Sequence, residues 1–133
     1  MSDSSARGDA PDPNRVLRTW LWFRTAIDAR SPVEKDFFRL PVDAVATLQT
    51  KMMRFAHGES RRDDVDHLGD GILEIRGRAG SAQYRVLFFV WGPHLVALSA
   101  FHKNQRSTPK QDLDTARARR SRWRAVFGDE RST

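Results

Sequence analysis

Between Leu68 and Pro109 the chain leaves very short links between its extended runs. Ile72-Leu73-Glu74-Ile75-Arg76-Gly77-Arg78 alternates with a period of two, so Ile72, Glu74, Arg76 and Arg78 share one face and Leu73, Ile75 and Gly77 the other. Ala79-Gly80-Ser81 supplies a turn. Gln83 to Trp91 is apolar on both faces beyond its start, Gly92-Pro93 breaks it, and His94 to Phe101 forms a third run ending in His102-Lys103. Strands joined by links this short pair antiparallel. That pairing gathers Arg76, Arg78 and Arg85 near the first turn, and the third strand returns Lys103 to the same end of the sheet. A cluster of cations at one end of a sheet points to a bound polyanion.

The remaining segments fix how the sheet is covered. Residues 1–14 are rich in Ser, Asp, Gly and Pro and are expected to be a disordered tail, with one domain over 15–127 and a short tail over 128–133. Val16 to Ile27, with its tryptophans and β-branched residues, predicts a strand that is apolar on both faces. Ser31-Pro32-Val33-Glu34 is a capping box with proline at the first helical position, opening a short helix that turns Val33, Phe37 and Phe38 inward. Pro41 starts a second helix, with Val45, Leu48, Met52 and Phe55 at helical spacing and Gly58 just past its end. Glu59 to Asp66 reads as a charged loop. Thr108-Pro109-Lys110-Gln111 is another capping box, opening a last helix to about Val126. Its apolar stripe of Leu113, Ala116, Trp123 and Phe127 is thin and interrupted by Arg120. Lys110, Arg117 and Arg120 on that helix, with Arg78, are candidate RNA-binding residues; the alternative is a solvated helix docked by its stripe. The predicted order is β-α-α-β-β-β-α, an α+β fold with an antiparallel-rich sheet of about four strands and both N-terminal helices on one face.

Composition narrows the chemistry. A net charge of +6 and a pI near 10.7 favour nucleic acid or an acidic protein as partner. With no cysteine, disulfides and thiolate metal sites are excluded, and the four histidines are too scattered to form a zinc-type pair at helical spacing. No Gly-rich phosphate loop or nucleophile elbow is present, no metal or cofactor is expected, and no run is long and apolar enough for a membrane span. Phosphodiester cleavage remains open. Arginines can fork a phosphate and stabilise the charge that builds on it, provided a base takes the 2′-hydroxyl proton and an acid protonates the leaving oxygen. Glu74 and His102 are the nearby side chains with ordinary pKa values suited to that work.

The succession Leu68-Gly-Asp-Gly-Ile-Leu-Glu-Ile-Arg76, Tyr84-Arg85-Val-Leu-Phe-Phe, Ala100-Phe101-His102-Lys103 and Thr108-Pro109 resembles the RelE/HigB superfamily, and within it the phage-derived HigB-type toxins. The resemblance covers about Val16 to Arg124. It implies a type II toxin–antitoxin toxin: a metal-independent endoribonuclease that cuts mRNA on the ribosome, leaving a cyclic phosphate and a 5′-hydroxyl. It also implies a cognate antitoxin of helix-turn-helix type, while the lack of a membrane span and of an apolar secretory signal makes the cytoplasm the expected compartment. By the same resemblance Arg76 matches a catalytic lysine position, Arg85 the arginine that stabilises the phosphate, and Lys103 the basic position after the last strand. Glu74 stands where RelE carries another lysine. The family's Phe-x-Lys-Lys is here Phe101-His102-Lys103-Asn104, and no tyrosine follows Pro109. A ParE-like inhibitor of DNA gyrase and a non-catalytic regulator that binds nucleic acid or protein are the rival readings.

Overall fold

The computed structural model describes residues 17–104 and 109–129. The expected tail over 1–14, Thr108 of the second capping box and the last four residues lie outside that range. In chain order the elements are β1 (Thr19–Trp22), α1 (Pro32–Phe38), α2 (Val42–Ala56), β2 (Val65–Gly69), β3 (Ile72–Ala79), β4 (Ala82–Trp91), β5 (His94–His102) and α3 (Pro109–Phe127). The strands form one five-stranded sheet in the order β1-β5-β4-β3-β2.

The three central strands pair antiparallel through the two-residue links Gly80-Ser81 and Gly92-Pro93, as the sequence requires. The sheet is nevertheless larger than expected, and mixed. β2 begins inside the expected Glu59–Asp66 loop and is not among the expected strands, because it is short and half-polar. The signal for it lies in the turn that follows: Asp70 and Gly71 both take positive φ, 57° and 76°. That is the arrangement a two-residue Asp-Gly hairpin turn demands, and glycine adopts it freely. β1 is shorter than Val16–Ile27 and runs parallel to β5, so the first strand of the chain joins the last one instead of a sequence neighbour.

Helices cover both faces. Ser31 caps α1 through hydrogen bonds accepted by its Oγ from the Val33 and Glu34 amides, at 3.1 and 3.0 Å. α1 sinks Val33 and Phe37 into the core, whereas Phe38 turns outward and is about half exposed, contrary to expectation. The rings of Phe37 and Trp22 pack at 5.1 Å, and Phe55 of α2 and Trp20 of β1 both meet Phe88 of β4 edge-on. α1 and α2 therefore share the Leu73–Ile75–Gly77 face. α3 covers the opposite face, where Trp123 stands perpendicular to Trp91 at 5.4 Å. Gly77 lets α2 approach closely: a Cβ there would lie 2.8 Å from Leu48 Cδ2 and 3.1 Å from its Cγ. Gly77→Ala is expected to cost about 1–3 kcal/mol through overpacking against a buried leucine, read as a lower denaturation midpoint at unchanged m-value.

Candidate active site

Register places the functional side chains. Arg76 of β3 is paired directly with Arg85 of β4, Glu74 with Leu87, and Arg85 in turn with Phe101 of β5. Directly paired residues project to the same face, so Glu74, Arg76 and Arg85 all stand on the α3 side. Lys103 follows two residues after Phe101, and its amide donates to the Gln83 carbonyl at 2.7 Å, holding it beside the same hairpin end. Arg78 sits on that face at the hairpin tip and is exposed. The structure thus brings Glu74, Arg76, Arg78, Arg85 and Lys103 together on one side of the hairpin end.

His102 is different. It pairs with Tyr84 on the other face, where the two rings pack at 5.0 Å. A strand's two-residue period puts His102 and Lys103 on opposite sides of the sheet, so the histidine is separated from the Glu74 carboxylate. The three cations assigned to α3 also behave unlike a free RNA-binding row. Arg120 is buried and carries the stripe on rather than interrupting it: Nη2 lies 2.7 Å from Asp70 Oδ2 and Nη1 donates to the Asp70 carbonyl. Arg117 adds its Nε at 3.4 Å from the same carboxylate, which the two guanidiniums hold below the usual carboxylate range, Arg120 foremost. Lys110 is exposed and pairs with Asp114 at 2.7 Å.

At the centre stands a desolvated ion pair. Arg85 Nε lies 3.3 Å from Glu74 Oε2, with the two side chains only 10% and 15% exposed. The guanidinium also donates from Nη2 to Gln83 Oε1 at 2.8 Å and from Nη1 to the Tyr84 carbonyl at 3.3 Å. Mutual attraction alone lowers the carboxylate's pKa and raises the guanidinium's. Burial outweighs it on both sides: loss of water pushes Glu74 above the ordinary carboxylate range and draws Arg85 below its usual value. Arg76 leans away to Asp66 of β2, Nη2 to Oδ2 at 3.1 Å.

Two cavities flank the pair. One, of about 420 Å³, is lined by Lys51, Arg76, Arg78, Gln83 and Arg85 at the hairpin end. The other, of about 300 Å³, lies between α3 and the sheet and sets Glu74, Lys103, Lys110 and Asp112 beside Leu68, Leu87 and Leu113. Lys51, Gln83 and Asp112 are contributors that the sequence reading did not single out. Lys51 flanks the buried Leu48–Met52 stripe of α2 and donates to the Arg76 carbonyl at 2.6 Å. Gln83 is the second residue of β4, one strand position before Tyr84, and only the register shows that it faces the arginine. Among the described residues no group of three or more His, Cys, Asp or Glu is placed to hold a metal ion.

A cation-lined sheet end with a buried carboxylate–guanidinium pair, under a helix on one face and two on the other, defines a small α+β toxin-like domain. The family model "Phage derived protein Gp49-like" matches residues 35–121, and the chain belongs to that family, within the RelE/HigB-like toxins. Two curated relatives, both named "Probable endoribonuclease HigB1" and coming from the CDC 1551 / Oshkosh and ATCC 25618 / H37Rv strains of Mycobacterium tuberculosis, are 41% identical over 119 residues, which is 90% of this chain and 94% of theirs. The matched span takes in every residue of the Glu74–Arg85 pair and its cationic surround.

Because Arg120 is buried and Asp70 is its acceptor, Asp70→Ala is expected to lower the denaturation midpoint at unchanged m-value. Chemical denaturation checks this; an unchanged midpoint removes the Arg120–Asp70 contact from a structural role.

Proposed function

We infer that this chain is the endoribonuclease toxin of a toxin–antitoxin pair and that it cleaves mRNA on the ribosome. The observation that carries this reading is the desolvated Glu74–Arg85 pair at the cation-lined hairpin end, in a chain so similar to proteins named endoribonucleases. The cognate partner is an antitoxin, with helix-turn-helix character as the resemblance implies. No helix among the described residues is long and apolar enough to cross a membrane.

The reaction needs no group from outside the chain. The substrate phosphate takes over the Arg85 fork, whose planar donors match two phosphate oxygens. Glu74, released from Arg85, accepts the 2′-hydroxyl proton. The 2′-oxygen attacks the adjacent phosphorus and the bond to the 5′-oxygen breaks, leaving a 2′,3′-cyclic phosphate and a 5′-hydroxyl. Lys103 donates the proton to the departing oxygen, since His102 lies across the sheet. Arg76 and Arg78 neutralise neighbouring phosphates.

Arg85 is too buried for alanine to be a clean probe, because its loss leaves the Glu74 carboxylate in a desolvated site without its partner. Lysine keeps the charge and loses the fork. Losing a donor to developing charge typically lowers a rate about 100- to 1000-fold. Arg85→Lys is expected to fold normally and to fall part of that way in cleavage of end-labelled RNA; full activity removes the fork from the mechanism.

Glu74 has to be ionised to accept a proton, so activity is low below its pKa and rises above it. Burial has raised that pKa. The acid limb of the kcat/KM–pH profile is therefore expected to lie above the ordinary carboxylate value and to vanish in Glu74→Gln along with most of the activity. An unchanged limb in a Gln variant of near-normal activity assigns the base elsewhere.

A further inference from the structure

Lys103 stands between two carboxylates. On the sheet side is Glu74, whose ionisation the Lys103 ammonium favours. On the helix side is Asp112, in the first turn of α3, with Oδ2 at 3.7 Å from Lys103 Nζ. Both line the cavity of about 300 Å³ between helix and sheet. The Asp112 side chain is 16% exposed, and its Oδ2 is buried without a hydrogen-bond donor among the described residues. A buried carboxylate oxygen with no donor is costly, so it holds the nearest cation. An ammonium on a flexible stem goes to whichever carboxylate holds it better.

The geometry assigns Asp112 as a positioning residue: its carboxylate holds Lys103 on the α3 side of the cavity, off Glu74, so that Arg85 is the one ion-pair partner of Glu74 at rest and Glu74 is left free to act as base once the substrate phosphate takes the Arg85 fork. This rests on the endoribonuclease reading. The groups facing Glu74 are Arg76 on its own strand, Asp66 on β2, Arg85 on β4 and Lys103 after β5, with Asp112 and Lys110 contributed to the same cavity by α3. Arg85 and Arg76 already have carboxylate partners on the sheet at 3.3 and 3.1 Å, and the exposed Lys110 pairs with Asp114 of its own helix at 2.7 Å. Of the cations on the sheet side, Lys103 is the one whose carboxylate partner comes from the helix. Without Asp112 the ammonium collapses onto Glu74. The base is then clasped by two cations, its proton affinity falls, and the proton donor leaves the position from which it serves the departing oxygen.

The test uses the purified full chain and a labelled mRNA loaded on ribosomes, with Asp112→Asn, Lys103→Ala, the double variant and Arg85→Lys compared over a pH series. Misplacing a reacting group by about an ångström can cost on the order of 100-fold. Asp112→Asn is expected to lower kcat by about 10- to 100-fold with KM little changed. Its acid limb should move to lower pH as Glu74 becomes easier to ionise. In the Lys103→Ala background the same substitution should add nothing, because the two act as one unit. Asp112→Glu should restore part of kcat and the original limb. A clasp that merely ties the end of β5 to α3 lowers the melting temperature and moves neither the limb nor kcat. A folded Asp112→Asn protein with unchanged kcat and limb, or additive losses in the double variant, overturns the assignment while Arg85→Lys remains impaired. If Asp112→Asn does not fold, Asp112→Ser, which also removes the carboxylate, takes its place, and an unchanged kcat and acid limb in that variant refutes the assignment. Absence of cleavage by the unaltered chain refutes the endoribonuclease reading instead.

Discussion

A carboxylate and a guanidinium taken out of water together constrain much of this structure. The idealised cost of burying either charge alone is large, and attraction between the two returns it only when the remaining donors are met. Here Gln83 and the Tyr84 carbonyl meet them, which is why the arginine sits at the start of a central strand whose neighbours are fixed on both sides. The same desolvation that makes the pair costly gives it chemical use. It leaves Glu74 more ready to hold a proton than an exposed glutamate and the arginine poised to exchange one anion for another.

Keeping water away from that pair is the task of α3, and the helix is held by contacts that look unlike a hydrophobic dock. Its buried residues are Ala116, Arg120 and Trp123. Arg120 spans fifty residues of sequence to the β2–β3 turn, and Arg119 donates to the Leu98 carbonyl at 2.8 Å. Arg124 lies over the Phe89 ring at 5.3 Å. Long basic side chains cover apolar surface with their stems while their heads find acceptors. Much of the positive charge on this helix is therefore spent inside the molecule, on the turn and the sheet beneath it. The charge at the strand ends is the part that faces the cavities.

The sequence made legible those features that depend on neighbours a few residues apart. The alternation of Ile72 to Arg78, the two-residue links and the Ser31 cap are local, and each appears where expected. So does the gathering of Arg76, Arg85 and Lys103, because it follows from hairpin register alone. What escaped depends on distant partners. The parallel pairing of β1 with β5 joins Thr19 to His94, and no local pattern announces it. β2 is a strand by virtue of its pairing with β3, not of its composition. Arg120 looks solvent-directed in a row of arginines, yet the turn residue Asp70 makes it a core residue. His102 was placed with Lys103 because they are adjacent, although adjacency along a strand is what puts two side chains on opposite faces.

The parallel β1–β5 pair has a bearing on the order of events during synthesis. Its two strands are the first and last of the sheet, so four of the five strands and both N-terminal helices are translated before β1 meets the strand that pairs it. Contacts separated so far along the chain form late, since the loop they close is long. Lys103 and all of α3 emerge after that. A ribosome making this protein thus carries the sheet before Lys103 and α3 have emerged, and the interval before α3 docks is a window in which a partner can meet the nascent fold while the Glu74–Arg85 pair is still uncovered.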